Sequence, residues 1–373
     1  MKVPFVDLSR SFAQIEERAF DAIRAVVSES SFVGGRFLEE FEQRFAEWCG
    51  AGFAVGMSSG TSAIRLALAS CGVKAGDEVI TVPNTFIATV EAISQPGAKP
   101  VFVDIEPLTG NMNAELVGEA VTEKTSAVIP VHLYGCPCSI EKLSAAISDR
   151  PIVVVEDACQ AHGAESLVDG RWVRAGSQGA AGCFSFYPTK NLGAFGEAGA
   201  VVTGSEVVAE KLRMLRDHGQ RDKNVHEIEG SNERLDSIQA AVLSVKLDSL
   251  EQWNGQRRVL ARTYGELLAG LPVKTPKPPD DARHVYHLYV LLSEKRDALM
   301  KFLSSRGIGT AIHYPSPIHL QPAYSQLAHK EGDFPEAEKW AREVLSLPMF
   351  PGLRREEVEH VAGTIREFFQ DHR

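Results

Sequence analysis

The chain has 373 residues, 44% of them hydrophobic and 24% charged, with a formal net charge of −10. That length and composition suit a globular enzyme with one large domain and a smaller one, or two comparable ones, and give ample capacity for a core. The acidic balance argues against nucleic acid or an anionic membrane as partner, while leaving room for a local basic pocket that holds a phosphorylated ligand.

The opening "MKVPFVDLSRSF" has no apolar run of secretory length, and the longest apolar runs elsewhere are strand-sized. Neither export nor membrane spanning is expected, and the location reads as cytoplasmic. Six cysteines in such a chain read as reduced thiols. In "FLEEFEQRFAEWCG", Phe37, Leu38, Phe41, Phe45 and Trp48 share one helical face, and Gly50 is placed to end the helix. Seven strand candidates follow at 53–57, 78–82, 100–104, 126–132, 152–157, 183–187 and 199–204. Several are apolar at successive positions, as in strands covered on both faces, and helical segments such as "SAIRLALAS" separate some of them. The pattern predicts an α/β domain around a mostly parallel seven-stranded sheet. After "GSN", Leu235, Ile238, Val242 and Val245 recur every three to four residues and predict one helix to about Trp253, linking two domains. Residues 271–284 are rich in proline and charge and read as a loop; "VYHLYVLL" reads as a strand. Two helical segments and the loop "HYPSPIHLQPAY" complete a smaller α+β unit. The expected division is a large domain over 1–250 and a small one over 251–373.

In open α/β sheets ligands bind at the carboxyl ends of strands, which singles out four loops. "SSGTSAIRLALA" runs a small-residue turn into a helix, either a simple cap or an anion cradle suited to phosphate. "VPNTFIATV" places Phe86 after a strand, as a core residue or as a face on which a planar ring stacks. Asp157 ends the apolar run of "VVVEDACQAHGA", where a carboxylate needs a cationic or hydrogen-bonding partner, and Gln160 follows three residues on. Helix capping is the competing role for Asp157. In "CFSFYPTKNLGAFGEAGAVV", Lys190 lies between an aromatic run and glycines, where partial desolvation lowers an amine's pKa and raises its nucleophilicity. Phosphate, aromatic ring, ring nitrogen and aldehyde together describe pyridoxal 5′-phosphate (PLP). His132, Cys136, Cys138, Cys159 and His162 are the residue types of a zinc site. Their spacing is not a paired C-x2-C framework, and Pro137 separates two of the cysteines, so buried packing is favoured and no metal is expected.

The stretches "FSFYPTKNLGAFGEAGA", "VEDACQAHGA", "SSGTSA" and "GSNERLDSIQAAVL" resemble motifs of the DegT/DnrJ/EryC1/StrS sugar aminotransferases, which are fold-type I PLP enzymes. The resemblance covers almost the whole chain. It implies that Lys190 forms the internal aldimine and carries the proton between the substrate carbon and C4′ of the cofactor. It also implies that Asp157 pairs with the pyridinium nitrogen, that Gln160 lies near the ring hydroxyl and that Phe86 lies over the ring. Gly60, Thr61 and Ser185 resemble phosphate contacts. Asn232 resembles a phosphate ligand reaching in from the neighbouring subunit, which implies a homodimer with shared active sites. The implied reaction is ping-pong: L-glutamate, the typical donor, gives its amine to the cofactor, and the keto carbon of a nucleotide-linked sugar takes it.

"FYPTKNLGA" and "PNTFIATVEAI" resemble the branch that aminates C3 of dTDP-3-keto-6-deoxyhexoses; the C4-aminating branch tends to carry histidine at the position of Tyr187. Tyr187, His313 and Tyr314 are then candidates for the sugar ring, and Lys223 is a candidate across the dimer. His313 and Tyr314 equally suit packing within the small domain. In "GSNERLD", Ser231 and Glu233 flank the asparagine where the family often shows an aromatic. The alternatives are a C4- or UDP-linked ketosugar aminotransferase, a PLP-dependent sugar dehydratase, and a non-catalytic binding or regulatory protein. Dehydratases that cannot aminate carry histidine in place of the lysine, and a binding protein does not need both Lys190 and Asp157 placed for chemistry.

Overall fold

The apolar runs pair into a single seven-stranded sheet, because strands this short and this hydrophobic bury both faces only when helices cover them. The structure, a computed structural model, describes residues 1–148 and 150–371. Across the sheet the strands run Phe53–Met57, Gly199–Thr203, Ala181–Ser185, Val153–Asp157, Thr125–Val128, Glu78–Thr81 and Lys99–Phe102. Gly199–Thr203 is antiparallel to both neighbours, and every other pairing is parallel. The carboxyl ends of the parallel strands therefore open on one edge, where Asp157 and Ser185 both terminate their strands.

Most strand limits agree with expectation to within one or two residues, and two runs depart further. The run 126–132 stops pairing as a strand at Val128, since Pro130 has no N–H to donate. The chain still bridges beside its neighbour there, with the Asp157 N–H donating to the Pro130 carbonyl at 2.9 Å. The run 183–187 is shifted to Ala181–Ser185. Its ladder with Gly199–Thr203 ends at Ser185, and Tyr187 beyond it is exposed.

The helix expected to reach Trp253 runs from Ser237 to Leu268. Its buried face continues through Leu260, Ala261, Tyr264 and Leu268 across a polar stretch that masks the periodicity. Arg257, inside that stretch, is buried and donates to the carbonyls of Tyr286 and Met349, both at 3.0 Å. Residues 250 and 251 lie within this helix, which packs on the helices Glu16–Ser28 and Arg36–Cys49 and on Arg355–Asp371. Gly50 closes Arg36–Cys49 in the left-handed region at φ 73°.

In the C-terminal unit Tyr289–Leu292 pairs antiparallel with Val344–Leu347. Around the pair lie three helices, Arg296–Ser305, Pro335–Glu343 and Arg355–Asp371, one more than the pattern predicts. A hairpin, Glu165–Val168 with Arg171–Arg174, was not expected, and Ala282–Arg283 of the anticipated loop adds an edge to it. Asp169 and Gly170 both have positive φ in its turn, the signature of an Asp-Gly hairpin. Among the described residues no helix is long and apolar enough to cross a membrane.

Candidate active site

Asp157 is buried at the end of its strand, and two donors hold its carboxylate. The Thr89 hydroxyl donates to Oδ2 at 2.7 Å and the Cys159 N–H to Oδ1 at 3.1 Å. Thr85 and Thr89 are joined hydroxyl to hydroxyl at 2.8 Å, one turn apart. Charge-assisted bonds of this kind offset the desolvation of a buried anion. Lys190 lies in the turn after Ser185, its N–H bonded to the Tyr187 carbonyl at 2.8 Å. Burial holds its amine below the ordinary value of 10.5, while Cys159 and Asp157 act in the opposite direction. The amine and the Asp157 carboxylate thus sense each other, yet no ion pair within 4.0 Å joins them. Burial, and then the Lys190 charge, push His313 down to about 4.

Gln160 is buried. Its Oε1 accepts the Tyr134 N–H at 2.8 Å, and its Nε2 donates to the Tyr314 hydroxyl at 3.3 Å. The Phe86 ring is 53% exposed between buried neighbours, Thr85 and Ala88, with its centroid 5.7 Å from that of Tyr314. An aromatic left so open is not part of the core, and its face is free for a planar ring to stack on.

The helix Gly60–Ser70 begins at the same edge, with Ser59 capping the Ser62 N–H at 3.1 Å. A Cβ at Gly60 would stand 2.6 Å from the Cβ of Ser185 and 3.0 Å from the Cys159 sulfur. Only glycine lets the helix start approach Ser185 this closely. Thr61 lines a cavity of about 310 Å³ with Ser59, Arg65 and Glu233. Glu233 accepts from Ser58 and Ser62 at 2.5 Å each and from Arg65.

One edge of the sheet therefore brings together Lys190, Asp157, Gln160, Phe86, Gly60, Ser185, His313 and Tyr314. Tyr187 is exposed close by in sequence. Asn232 and Lys223 are exposed on the chain between Leu215 and the long helix. Among the described residues, no hydrogen bond or ion pair joins either of them to Lys190, Asp157 or Gln160. Thr89 and Tyr134 are the contacts that sequence reasoning misses. Thr85, just before the helix Ile87–Ser94, and Thr89 in its first turn stand four residues apart, and that spacing is visible in the sequence; nothing in "HLYG" marks Tyr134.

These residues fit PLP. A desolvated amine and a hydrogen-bonded carboxylate lie apart at one site, an open aromatic face stands beside them, and a helix start is cleared of side chains for an anion. The six cysteines are free. Both ring nitrogens of His132 are engaged, one by Glu156 at 2.9 Å and one by the Cys138 N–H at 2.8 Å.

Known proteins align over the whole of this architecture. A pleiotropic regulatory protein of Geobacillus stearothermophilus is 45% identical over 99% of this chain and 99% of its own. The dTDP-3-amino-3,4,6-trideoxy-alpha-D-glucose transaminase of Streptomyces venezuelae is 45% identical over 98% of this chain and 96% of its own. The X-ray structure of S. venezuelae DesV in complex with a ketimine intermediate matches with a TM-score of 0.96 at 44% identity, covering 99% of each chain. That of NtdA from Bacillus subtilis with bound cofactor PMP matches with a TM-score of 0.91 at 31% identity, covering 99% of this chain and 85% of the other. Residues 13–366 match the DegT/DnrJ/EryC1/StrS aminotransferase family, and the chain belongs to that family.

Proposed function

We propose that this PLP-dependent sugar aminotransferase moves an amino group from L-glutamate to C3 of a dTDP-linked 3-keto-6-deoxyhexose. The observation that carries the chemistry is Lys190, a desolvated amine sharing its site with the buried, hydrogen-bonded Asp157. The name of the S. venezuelae relative supports the sugar and the position aminated.

Bound PLP supplies an electron sink for the carbon that carries the transferred amine. Lys190 serves as the point of cofactor attachment and as general base and acid: with its pKa held down by burial, its Nζ is neutral more often than that of an exposed lysine, and it would carry a proton from the donor's α carbon to C4′ of the cofactor and, in the second half-reaction, from C4′ to the sugar carbon that receives the amine. Asp157, fixed by Thr89 and the Cys159 N–H, presents negative charge to the ring nitrogen and keeps it protonated. Phe86 covers one face of the ring. Gln160 contacts the ring hydroxyl, and Gly60, Thr61 and Ser185 receive the phosphate. Tyr187, His313 and Tyr314 contact the sugar. In the homodimer, Asn232 and Lys223 of each chain serve the other chain's site, consistent with their exposure. The six free cysteines support the cytoplasmic assignment.

Lys190→Ala is expected to lower transamination by on the order of 10⁴-fold while leaving noncovalent cofactor binding in place. Steady-state assays with the dTDP-3-ketosugar and its 4-keto and UDP-linked counterparts test the substrate. Faster turnover of a counterpart would overturn the C3 or dTDP assignment.

A further inference from the structure

We propose that Tyr134 is a positioning residue that fixes the ketosugar-binding segment His313–Tyr314 relative to Gln160 on the cofactor side, an assignment that rests on the substrate contacts proposed above. Tyr134 lies in the turn Leu133–Gly135, just after His132 donates its N–H to the Asp157 carbonyl at 3.0 Å. Three bonds form a closed circuit there. The Tyr134 N–H donates to Gln160 Oε1, the Tyr134 hydroxyl donates to the His313 carbonyl, and Gln160 Nε2 donates to the Tyr314 hydroxyl. The ring is buried and stacks on Trp340 of the helix Pro335–Glu343, with centroids 6.2 Å apart and planes 11° from parallel.

The backbone of Tyr134 is left-handed, at φ 58° and ψ 3°, which is costly for a bulky side chain and persists only where surrounding contacts over-determine it. The neighbouring turn is packed closely: a Cβ at Gly135 would meet Val285 Cγ2 at 2.8 Å and the Gln160 carbonyl oxygen at 3.1 Å. His313 is held from its other side, by Ser346 Oγ at 2.9 Å from Nδ1 and by the Phe5 ring, stacked at 5.9 Å. Those contacts hold His313 between the N-terminal segment and the strand Val344–Leu347. Tyr134 gives that segment a second link to Gln160, beside the direct bond to the Tyr314 hydroxyl, and through the adjacent backbone one to the strand of Asp157. A phenylalanine at 134 would fill the same space, so the hydroxyl is what positioning requires.

The test is Tyr134→Phe beside His313→Ala, both as PLP-loaded protein. For Tyr134→Phe, KM for the dTDP-linked 3-ketosugar is expected to rise about fivefold, the effect of one lost hydrogen bond. The half-reaction with L-glutamate alone should proceed at the wild-type rate. Backbone hydrogen exchange should accelerate within 311–316 and not across the molecule. An unchanged KM in Tyr134→Phe alongside a raised KM in His313→Ala would overturn the role of Tyr134 alone. Equal loss in both half-reactions with exchange accelerated throughout would overturn it too, by marking Tyr134 as purely structural. If neither variant moves KM, the substrate assignment of His313 falls and the positioning role falls with it.

Discussion

In the proposed mechanism Lys190 and Asp157 meet one electrostatic problem from two sides: an amine must be free to move a proton, and a carboxylate must stay charged where water is scarce. Burial acts on both, lowering the amine's pKa and making the anion costly, but only Asp157 has donors that compensate. Asp157→Asn keeps the shape and removes the charge, so kcat is expected to fall by roughly 10² to 10³ with little change in melting temperature. Near wild-type turnover would refute the proposed pairing with the ring nitrogen. The pH profile carries a matching signature. If Lys190 is the base, activity rises with pH through a pKa lying below 10.5 and fails on the acid side, where the amine is protonated. Both residues are legible in the sequence because each stands where an apolar run meets small residues. Tyr134 is not, since a left-handed backbone at a non-glycine residue is imposed by tertiary contacts that no local pattern records.

The strand Val153–Asp157 places side chains alternately on its two faces, so Glu156 points away from the site and into the protein. It is fully buried. Burial pushes its pKa up, but the bond to His132 and the N–H groups of Gly176 and Gly179 outweigh that and hold it below the ordinary value. It accepts from Gly176 and Gln178 at 2.7 Å, from Gly179 at 2.6 Å and from His132 at 2.9 Å. Glu156→Gln turns one acceptor into a donor facing donors and is expected to cost about 2 to 3 kcal/mol in urea unfolding, the range for hydrogen bonds to a buried charged group. A loss under about 1 kcal/mol would show that the network contributes little. The helix start behaves similarly: Gly60→Ala forces a Cβ onto Ser185 and should weaken PLP binding measured by titration. At this scale the strands are readable from their apolar runs. The length of the helix Ser237–Leu268 is not, because buried Arg257 is satisfied by carbonyls distant in sequence, and a charged residue on the page looks like solvent.

For the whole molecule, the buried His162 and the half-buried His313 make stability depend on pH in acid. Burial depresses His162 to about 3 and His313 to about 4 from an ordinary 6.5. The unfolded chain therefore takes up protons that the folded chain refuses, and stability declines as pH falls below 6.5, the loss becoming complete below about 3. Glu357 adds to it: bonded to Arg10, it is held at about 2 against an ordinary 4.5, and its contribution, present above 4.5, is lost as pH falls through 2. Melting temperatures recorded from pH 8 to pH 4 should fall steadily below about 6.5, and a flat profile would contradict this.

The central claim, that Lys190 is the amine on which this chemistry runs, is tested most directly by the absorption spectrum of the purified protein with PLP, before and after L-glutamate. A visible band from cofactor joined to Lys190 is expected, replaced by the ultraviolet band of the pyridoxamine form on adding glutamate, and missing from Lys190→Ala. A wild-type protein that binds PLP without the visible band, or a band that survives in Lys190→Ala, would contradict it.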